Sequence, residues 1–293
     1  MLIKELYEKE HETFIFINVG IGDFLHFDSL LNDKIRENIK NIVIWNAHDP
    51  SNSKGNTIVD MIRSNNYYDK KIKIIDIKHR IARSMAAHKQ LQLMESILSS
   101  STDFDFSKSF NQHFLMQDSS VRDNSDIVRK LAFENKASSS YFKQELTDIK
   151  KFNLPKEYCI IANHTSSVRY LNKKDMENTF KILDLVFGMS GVLIGNDRFD
   201  TKKNNIINLI GLTSVEESIE LIKNASAYIG IDSYISVLAS QLLPEKKLII
   251  KANAHRGMLN FFFYRKEKLD KFIYNKIDWL EYCSKNKFIK IFI

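Results

Sequence analysis

Residues 153–169 read N-L-P-K-E-Y-C-I-I-A-N-H-T-S-S-V-R, and their reading decides the fold. The apolar run 158–164 is bounded by a Pro-containing turn on one side and a Ser/Thr cluster on the other, the pattern of a buried strand. A helix follows, because Met176, Phe180, Leu183 and Phe187 recur at i, i+4, i+7 and i+11 and so share one apolar face. A strand followed by an amphipathic helix opens an α/β unit, and here it opens one for the second time.

Working back from this junction, TFIFINV (13–19), NIVIWNA (41–47) and KIKIIDI (71–77) read as strands. Between them lie a helical stretch from GIGD (20–23) to about residue 38 and, after the third, one long helix over 79–99. Residues 100–121 are Ser/Asp-rich and read as irregular, and helical patterns return between 126 and 151. Working forward, VLIG (192–195), IINLIG (206–211), AYIGI (227–231) and KLIIK (247–251) read as strands. Residues 214–225 form a helix with Val215, Ile219 and Ile222 inward and a capping box of Ser214 and Glu217. Strands alternating with helices predict parallel sheets. Parallel sheets are covered on both faces, which is why these strands are continuous apolar runs. The sequence therefore predicts two doubly wound, Rossmann-like α/β domains. The first spans 1–152 and the second 153–275, with a helical tail at 276–293 packing back on the first.

With 44% hydrophobic and 11% aromatic residues, the chain has the composition of a folded protein with a sizeable core rather than a disordered one. No apolar run reaches the ~20 residues that span a bilayer, and the charged start, MLIKELYEKEHETF, does not read as a signal peptide. Cys159 and Cys283 lie in apolar surroundings and read as free thiols, pointing to a reducing cytoplasm. The histidines are scattered without zinc spacing, so no metal is expected. The net charge of +7 is uneven: residues 246–293 hold twelve Lys/Arg against four Asp/Glu, a net +8. A basic carboxy-terminal region points to an anionic partner, such as a sugar-nucleotide phosphate, an acidic acceptor or a lipid headgroup surface. FFFYRK (261–266) sets aromatics beside cations, which suits either a membrane interface or a core strand. No nucleic-acid-binding signature is present, and no nucleic acid partner is expected.

Three segments could carry chemistry. V-G-I-G-D (19–23) follows the first strand, where glycines let the backbone approach a ligand and Asp23 would stand at the mouth of the first domain. The competing reading makes Asp23 the cap of the next helix. N-H-T-S-S-V-R (163–169) offers hydroxyls, backbone N–H groups and a bidentate donor, Arg169, for phosphate; otherwise it is a Ser/Thr-rich turn with a solvated arginine. G-I-D-S-Y-I-S-V-L-A-S (230–240) ends a strand at Asp232 and opens a helix whose positive end suits a pyrophosphate. There Asp232 or Ser233 as a plain N-cap is the alternative.

Together these segments resemble the bacterial heptosyltransferases, the family-9 type of glycosyltransferase. The resemblance rests on five elements in order over residues 13 to about 255. They are a first strand with G-D-F-L-H-F-D-S-L-L (22–31), H-T-S-S-V-R-Y-L-N-K-K-D-M (164–176), VLIG, N-L-I-G-L-T-S (208–214) and A-Y-I-G-I-D-S-Y-I-S-V-L-A (227–239). The family's glycine and histidine in the last element are Tyr234 and Val237 here, and Arg169 stands where lysine is usual.

The resemblance implies the GT-B architecture, two Rossmann-like domains facing a central cleft. It implies an inverting, metal-independent transfer, without a cofactor, of a heptose-type sugar from a nucleotide diphosphate donor. An ADP-sugar is the favoured donor, and the acceptor is a saccharide hydroxyl of a surface glycan such as lipooligosaccharide or capsule. By that likeness Asp23, after Gly22, is the catalytic base. Thr165, Ser166, Arg169, Asp232 and Ser233 hold the nucleotide and its phosphates, and Asp197 or Asp200 contacts the ribose. Such an enzyme is cytoplasmic or peripheral on the inner face of the membrane, where a glycolipid acceptor would lie. Two other readings stay open: a nucleotide-sugar epimerase, which His164 and His255 would serve, and a non-catalytic nucleotide- or glycan-binding module, which the valine at position 237 favours.

Overall fold

The computed structural model describes residues 7, 10–17, 20–45, 53–68, 70–77, 79–80, 87–99, 109–111, 139–163, 171–195, 199–231, 233–243, 248–251 and 288–290. The chain divides into two compact units, Met1–Ala132 and Phe133–Ile293.

The first unit runs β1 (Thr13–Ile17), α1 (Ile21–Leu30), α2 (Asp33–Asn38), β2 (Asn41–Trp45), α3 (Ser53–Ser64), β3 (Lys73–Asp76), α4 (Ala87–Ser99) and β4 (Ser109–Asn111). Its sheet has the order β3-β2-β1-β4 and is parallel throughout. Successive side chains of a strand face opposite ways, and β1 uses both sides. Phe14 and Phe16 meet Phe27 of α1 edge to face, at ring separations of 5.2 and 4.8 Å. Ile15 faces the other way, into a cluster with Val43, Trp45, Met94 and Leu98 that α4 closes. The sheet is thus covered on both faces, as its apolar runs predict.

The second unit runs β5 (Tyr158–Ala162), α5 (Lys173–Ile182), β6 (Ser190–Ile194), β7 (Ile206–Asn208), α6 (Val215–Lys223), β8 (Ala227–Ile231), α7 (Tyr234–Leu242), β9 (Leu248–Lys251) and β10 (Phe288–Lys290). Its sheet has the order β10-β9-β8-β5-β6-β7. All pairs are parallel except that of β10 with β9. Cys159, Ile161, Leu193 and Ile229 pack on Met176, Phe180 and Leu183, so the predicted face of α5 is the buried one. At Leu183 the helix passes into a π-helical turn, Leu183–Phe187, which Gly188 ends at φ 61°. On the other face Tyr158 donates its hydroxyl to the Leu221 carbonyl of α6 (2.7 Å).

Four sequence expectations are corrected. The helix expected over 79–99 begins at Ala87; His79 and Arg80 are not helical, and residues 81–86 lie outside the described ones. Trp45 of β2 donates its indole N–H to the His79 carbonyl (2.6 Å), which ties that residue to the sheet. The stretch read as irregular contains β4, which is short and polar and held by its pairing with β1. Of the helical pattern expected over 126–151, residues 139–151 hold only two 3-10 turns, Ser140–Lys143 and Lys150–Phe152. Finally, Phe288–Lys290, within the tail expected to be helical, is a strand on the second sheet, whereas residues 276–285 lie outside the described ones.

The segment 139–152 departs from its helical pattern because tertiary bonds claim its backbone. The Leu146 N–H donates to Glu220 Oε1 (2.8 Å), and Lys223 Nζ bridges Glu220 Oε1 (2.7 Å) and the Gln144 carbonyl (2.6 Å). Lys151 pairs with Glu217. All of these partners lie on α6, so the residues before 153 pack with the second unit. Glu220 is buried, and its loss would take the acceptor from the Leu146 amide and leave the Lys223 ammonium with the Gln144 carbonyl but without its carboxylate. Glu220→Ala is therefore expected to cost about 1.5–3 kcal/mol, read as a lowered urea midpoint with an unchanged slope.

Candidate active site

In an open α/β sheet a ligand crevice forms outside the carboxyl ends of the strands, where the strand order reverses. In the second unit the chain goes from β5 to β6 and β7 on one side, then returns to place β8 on the other side of β5. The reversal lies between β5 and β8, where Ala162 pairs with Gly230. In the first unit it lies between β1 and β4.

The segments singled out in the sequence leave from these reversal points. From β5 departs the N-H-T-S-S-V-R segment. Its base is held where the Leu171 N–H donates to the Asn163 carbonyl (2.8 Å), so the chain leaves and returns at one point. Thr165, Ser166 and Arg169 lie outside the described residues. From β8 departs the Asp232–Ser233 pair, of which Asp232 lies outside the described residues. Ser233 is the N-cap of α7: its Oγ accepts from the Ile235 N–H (3.2 Å), and its own N–H donates to Ser236 Oγ (2.9 Å). The structural role that competed for Ser233 is thus occupied. A serine that accepts through its oxygen still has an O–H to donate, so the cap remains compatible with a phosphate contact.

At β1 the cap is not Asp23. The Phe24 N–H donates to the Gly20 carbonyl (3.0 Å), which makes Gly20 the N-cap and puts Gly22 and Asp23 at the second and third positions of α1. Gly22 is buried, and the Asp23 side chain lies outside the described residues.

The remaining candidates come between β6 and β7 in the sequence. Asp197 lies outside the described residues, and Asp200 is exposed. The loop before Asp200 is tied to β7, since Asn208 Nδ2 donates to the Phe199 carbonyl (2.9 Å). The N-L-I-G-L-T-S segment is zipped to the end of β6: the Leu209 N–H reaches the Leu193 carbonyl and the Gly211 N–H that of Gly195. Gly211 has φ 70°, a conformation that disfavours a side chain. Ser214 and Glu217 then form the expected capping box.

Two features at this end of the sheet escaped the sequence reading. Tyr234, first residue of α7, shares a hydrogen bond with Ser218 of α6. The Ser218 hydroxyl in turn lies 3.2 Å from Thr213 Oγ1. Burial raises the Tyr234 pKa and the Glu216 charge adds to this, while the Ser218 bond opposes them. The second feature is the Tyr228 hydroxyl, which donates to the Ile231 carbonyl (2.7 Å) through space that a side chain at Gly230 would fill. A glycine one residue from the end of an apolar strand is the signal that could have revealed it.

Elsewhere, a cavity of about 400 Å³ is lined by His11, Glu12, Ile39, Lys40, Lys71 and Ile72, among others. It sits at the amino ends of β1–β3, away from the reversal points. Burial raises the Cys159 thiol pKa well above its usual value. Among the described residues, no three His, Cys, Asp or Glu side chains cluster as metal ligands, and no helix is long and apolar enough to cross a membrane.

No protein-family model matches the chain, and no curated protein matches it. Among solved structures it is similar to a glycosyl transferase family 9 protein from Veillonella parvula. That likeness has 11% identity and a TM-score of 0.48, and covers 96% of this chain and 98% of that one. It is also similar to the E. coli heptosyltransferase WaaC with ADP, at 11% identity and a TM-score of 0.47, covering 94% and 99%. A third likeness is to E. coli ADP-heptose lps heptosyltransferase II, at 13% identity and a TM-score of 0.43, covering 82% and 86%.

Proposed function

We propose that this protein is an inverting, metal-independent glycosyltransferase that moves a heptose-type sugar from a nucleotide diphosphate, ADP favoured, to a saccharide hydroxyl of a bacterial surface glycan. One observation supports the reading: β5 and β8 end side by side at a reversal of the strand order, where β8 leads to the Ser233-capped start of α7 and β5 is followed in the sequence by the segment that contains Arg169. These two elements supply what a departing diphosphate requires.

The chemistry is a single displacement. The acceptor oxygen bonds to the anomeric carbon from the face opposite the leaving group, which inverts the configuration. The bond from that carbon to the diphosphate oxygen breaks, and its electron pair leaves with the nucleotide. Asp23 takes the acceptor proton as the new bond forms, the work of a positioned general base. Arg169 and the α7 amino terminus meet the charge that builds on the diphosphate. That cationic and dipolar pair takes the place a divalent ion fills in other transferases. A glycolipid acceptor would bring the protein to an anionic membrane surface through its basic carboxy-terminal region.

Purified protein mixed with ADP-, UDP- and GDP-sugars, with and without a lipooligosaccharide acceptor and in excess EDTA, tests the proposal. Transfer that requires acceptor and survives chelation is the expected result. Donor interconversion without acceptor would instead make it an epimerase, and binding without any product a non-catalytic module. Arg169→Ala is expected to weaken both donor and free ADP by about 1.5–3 kcal/mol, the worth of a charge-assisted hydrogen bond. Calorimetry showing wild-type ADP affinity would return Arg169 to the solvated surface.

A further inference from the structure

We propose that Tyr228 is a positioning residue for the donor: its buried hydroxyl holds the last carbonyl of β8 and so helps to place the cap of α7 for the diphosphate. The inference rests on the function proposed above and extends it to a residue with no place in the site as read so far.

Tyr228 and Gly230 are two residues apart on β8 and therefore face the same side of the sheet. The Tyr228 side chain is fully buried and extends along the strand toward its carboxyl end, where its hydroxyl donates to the Ile231 carbonyl (2.7 Å). The path is open only because residue 230 is glycine. A Cβ there would lie 2.6 Å from the Tyr228 hydroxyl and 2.6 Å from the Ala162 carbonyl oxygen. Gly230 thus lets two things approach at once: the backbone of β5 across the reversal point, and the hydroxyl that reaches past it.

The acceptor of this bond matters. Ile231 is the last residue of β8, two positions before the cap Ser233. Holding its carbonyl restrains the end of β8, from which the chain runs on to that cap. The cap is then organised from its other side by Ser236, whose Oγ accepts from the Ser233 N–H (2.9 Å) and donates to the Ser233 carbonyl (2.7 Å). One hydroxyl thus restrains the last residue of β8 and another restrains the cap residue itself. Rigid placement is what a site for a departing anion needs, because donors displaced from the anion lose most of their effect.

The same sheet supplies a matched control. Tyr158 on β5 is also buried and also donates its hydroxyl to a backbone carbonyl, that of Leu221, at 2.7 Å. It lies at the first residue of its strand, the end opposite the reversal point. Each Tyr→Phe variant removes one buried hydrogen bond and keeps the ring, so both should lose similar stability, whereas only one should lose ligand affinity.

The test is calorimetric titration of wild type, Tyr228→Phe and Tyr158→Phe with ADP, UDP and GDP, at a temperature where all three are folded. The fitted stoichiometry reports the folded fraction separately from the affinity. Tyr228→Phe is expected to weaken ADP binding about five- to tenfold, the range of one net hydrogen bond, with Tyr158→Phe unchanged. Should Tyr228→Phe not fold, the titrations are repeated for all three proteins in an osmolyte that favours the folded state; Gly230→Ala does not serve, because its Cβ would also meet the Ala162 backbone. Wild-type affinity in Tyr228→Phe overturns the positioning role while leaving the function intact. Equal weakening in Tyr158→Phe also overturns it, because the effect would then be general softening. Wild-type protein that binds none of the three nucleotides removes the donor-site reading itself, and this inference with it.

Discussion

Asp23→Asn is expected to lower transfer by about 10²-fold or more, the usual contribution of a general base, while leaving donor affinity nearly unchanged. The structure sharpens this test. Gly20, not Asp23, caps α1, so the asparagine does not take over a capping role. The negative charge that the asparagine removes from the first turn is worth about 0.3–1 kcal/mol through the helix dipole. That is a small shift in unfolding and too little to change the folded fraction. A drop in kcat beyond this belongs to the lost base. The pH profile separates the roles further. A carboxylate base must be ionised, so wild-type kcat/KM should fall on acidification, and the residual activity of the variant should lack that acid limb. An Asp23→Asn protein with full activity removes Asp23 from the chemistry.

The largest effect on stability is expected at Arg36. Its guanidinium is buried, and so is the carboxylate of Asp28 beside it, at 3.3 Å from Nε. Nη2 donates to the Asp28 carbonyl (2.6 Å) and Nη1 to Asp33 Oδ1 (2.9 Å), while the Tyr68 hydroxyl donates to Asp28 Oδ1 (2.8 Å). The cluster ties the end of α1 to α2 and to the turn after α3. Burial works against the charge on Arg36, but Asp28, then Tyr68 and Asp33, more than offset it, and the Arg36 pKa is raised. Arg36→Leu would leave the Asp28 charge buried without its cation. Breaking such a pair costs about 3–5 kcal/mol, a large share of the ~5–15 kcal/mol that holds a domain folded. Urea unfolding followed by the fluorescence of Trp45, which lies in the first unit, is the measurement, made in a Trp279→Phe background because the chain has a second tryptophan. Replacing Asp28 and Arg36 together by leucine should recover part of the loss, because a buried pair exchanged for apolar side chains is often near neutral. A single variant within about 1 kcal/mol of wild type would contradict the buried-pair account.

The candidate site was legible in the sequence as segments that follow strands rather than as geometry. The G-D pair, the Ser/Thr-rich segment at 163–169 and the Asp232–Ser233 pair were each read as following a strand, and each does. The role of a residue within its segment was less legible. Whether Asp23 or a residue before it caps α1 depends on which carbonyl accepts the first helical bond, and G-I-G-D permits several answers. Tyr228 looked like one more apolar residue in A-Y-I-G-I, because its partner is a backbone carbonyl, which has no sequence signature.

What the sequence determined alone is whatever depends on residues within about one helical turn, or on which faces are buried. AYIGI is a strand over Ala227–Ile231 as read, since a strand buried on both faces must be apolar throughout. The Ser214–Glu217 box forms as read, because its two bonds join residues three apart. The tertiary structure decided the rest. The strand orders, and with them the reversal points, follow from pairings between distant residues. The helix expected from residue 79 gave way to the indole of Trp45 holding the His79 carbonyl. The helix expected through 139–151 gave way to Glu220 and Lys223, more than seventy residues along the chain from the groups they bind. In each case a periodic pattern worth tenths of a kcal/mol per residue met buried hydrogen bonds and ion pairs worth about 1–3 kcal/mol each, and the long-range partners prevailed.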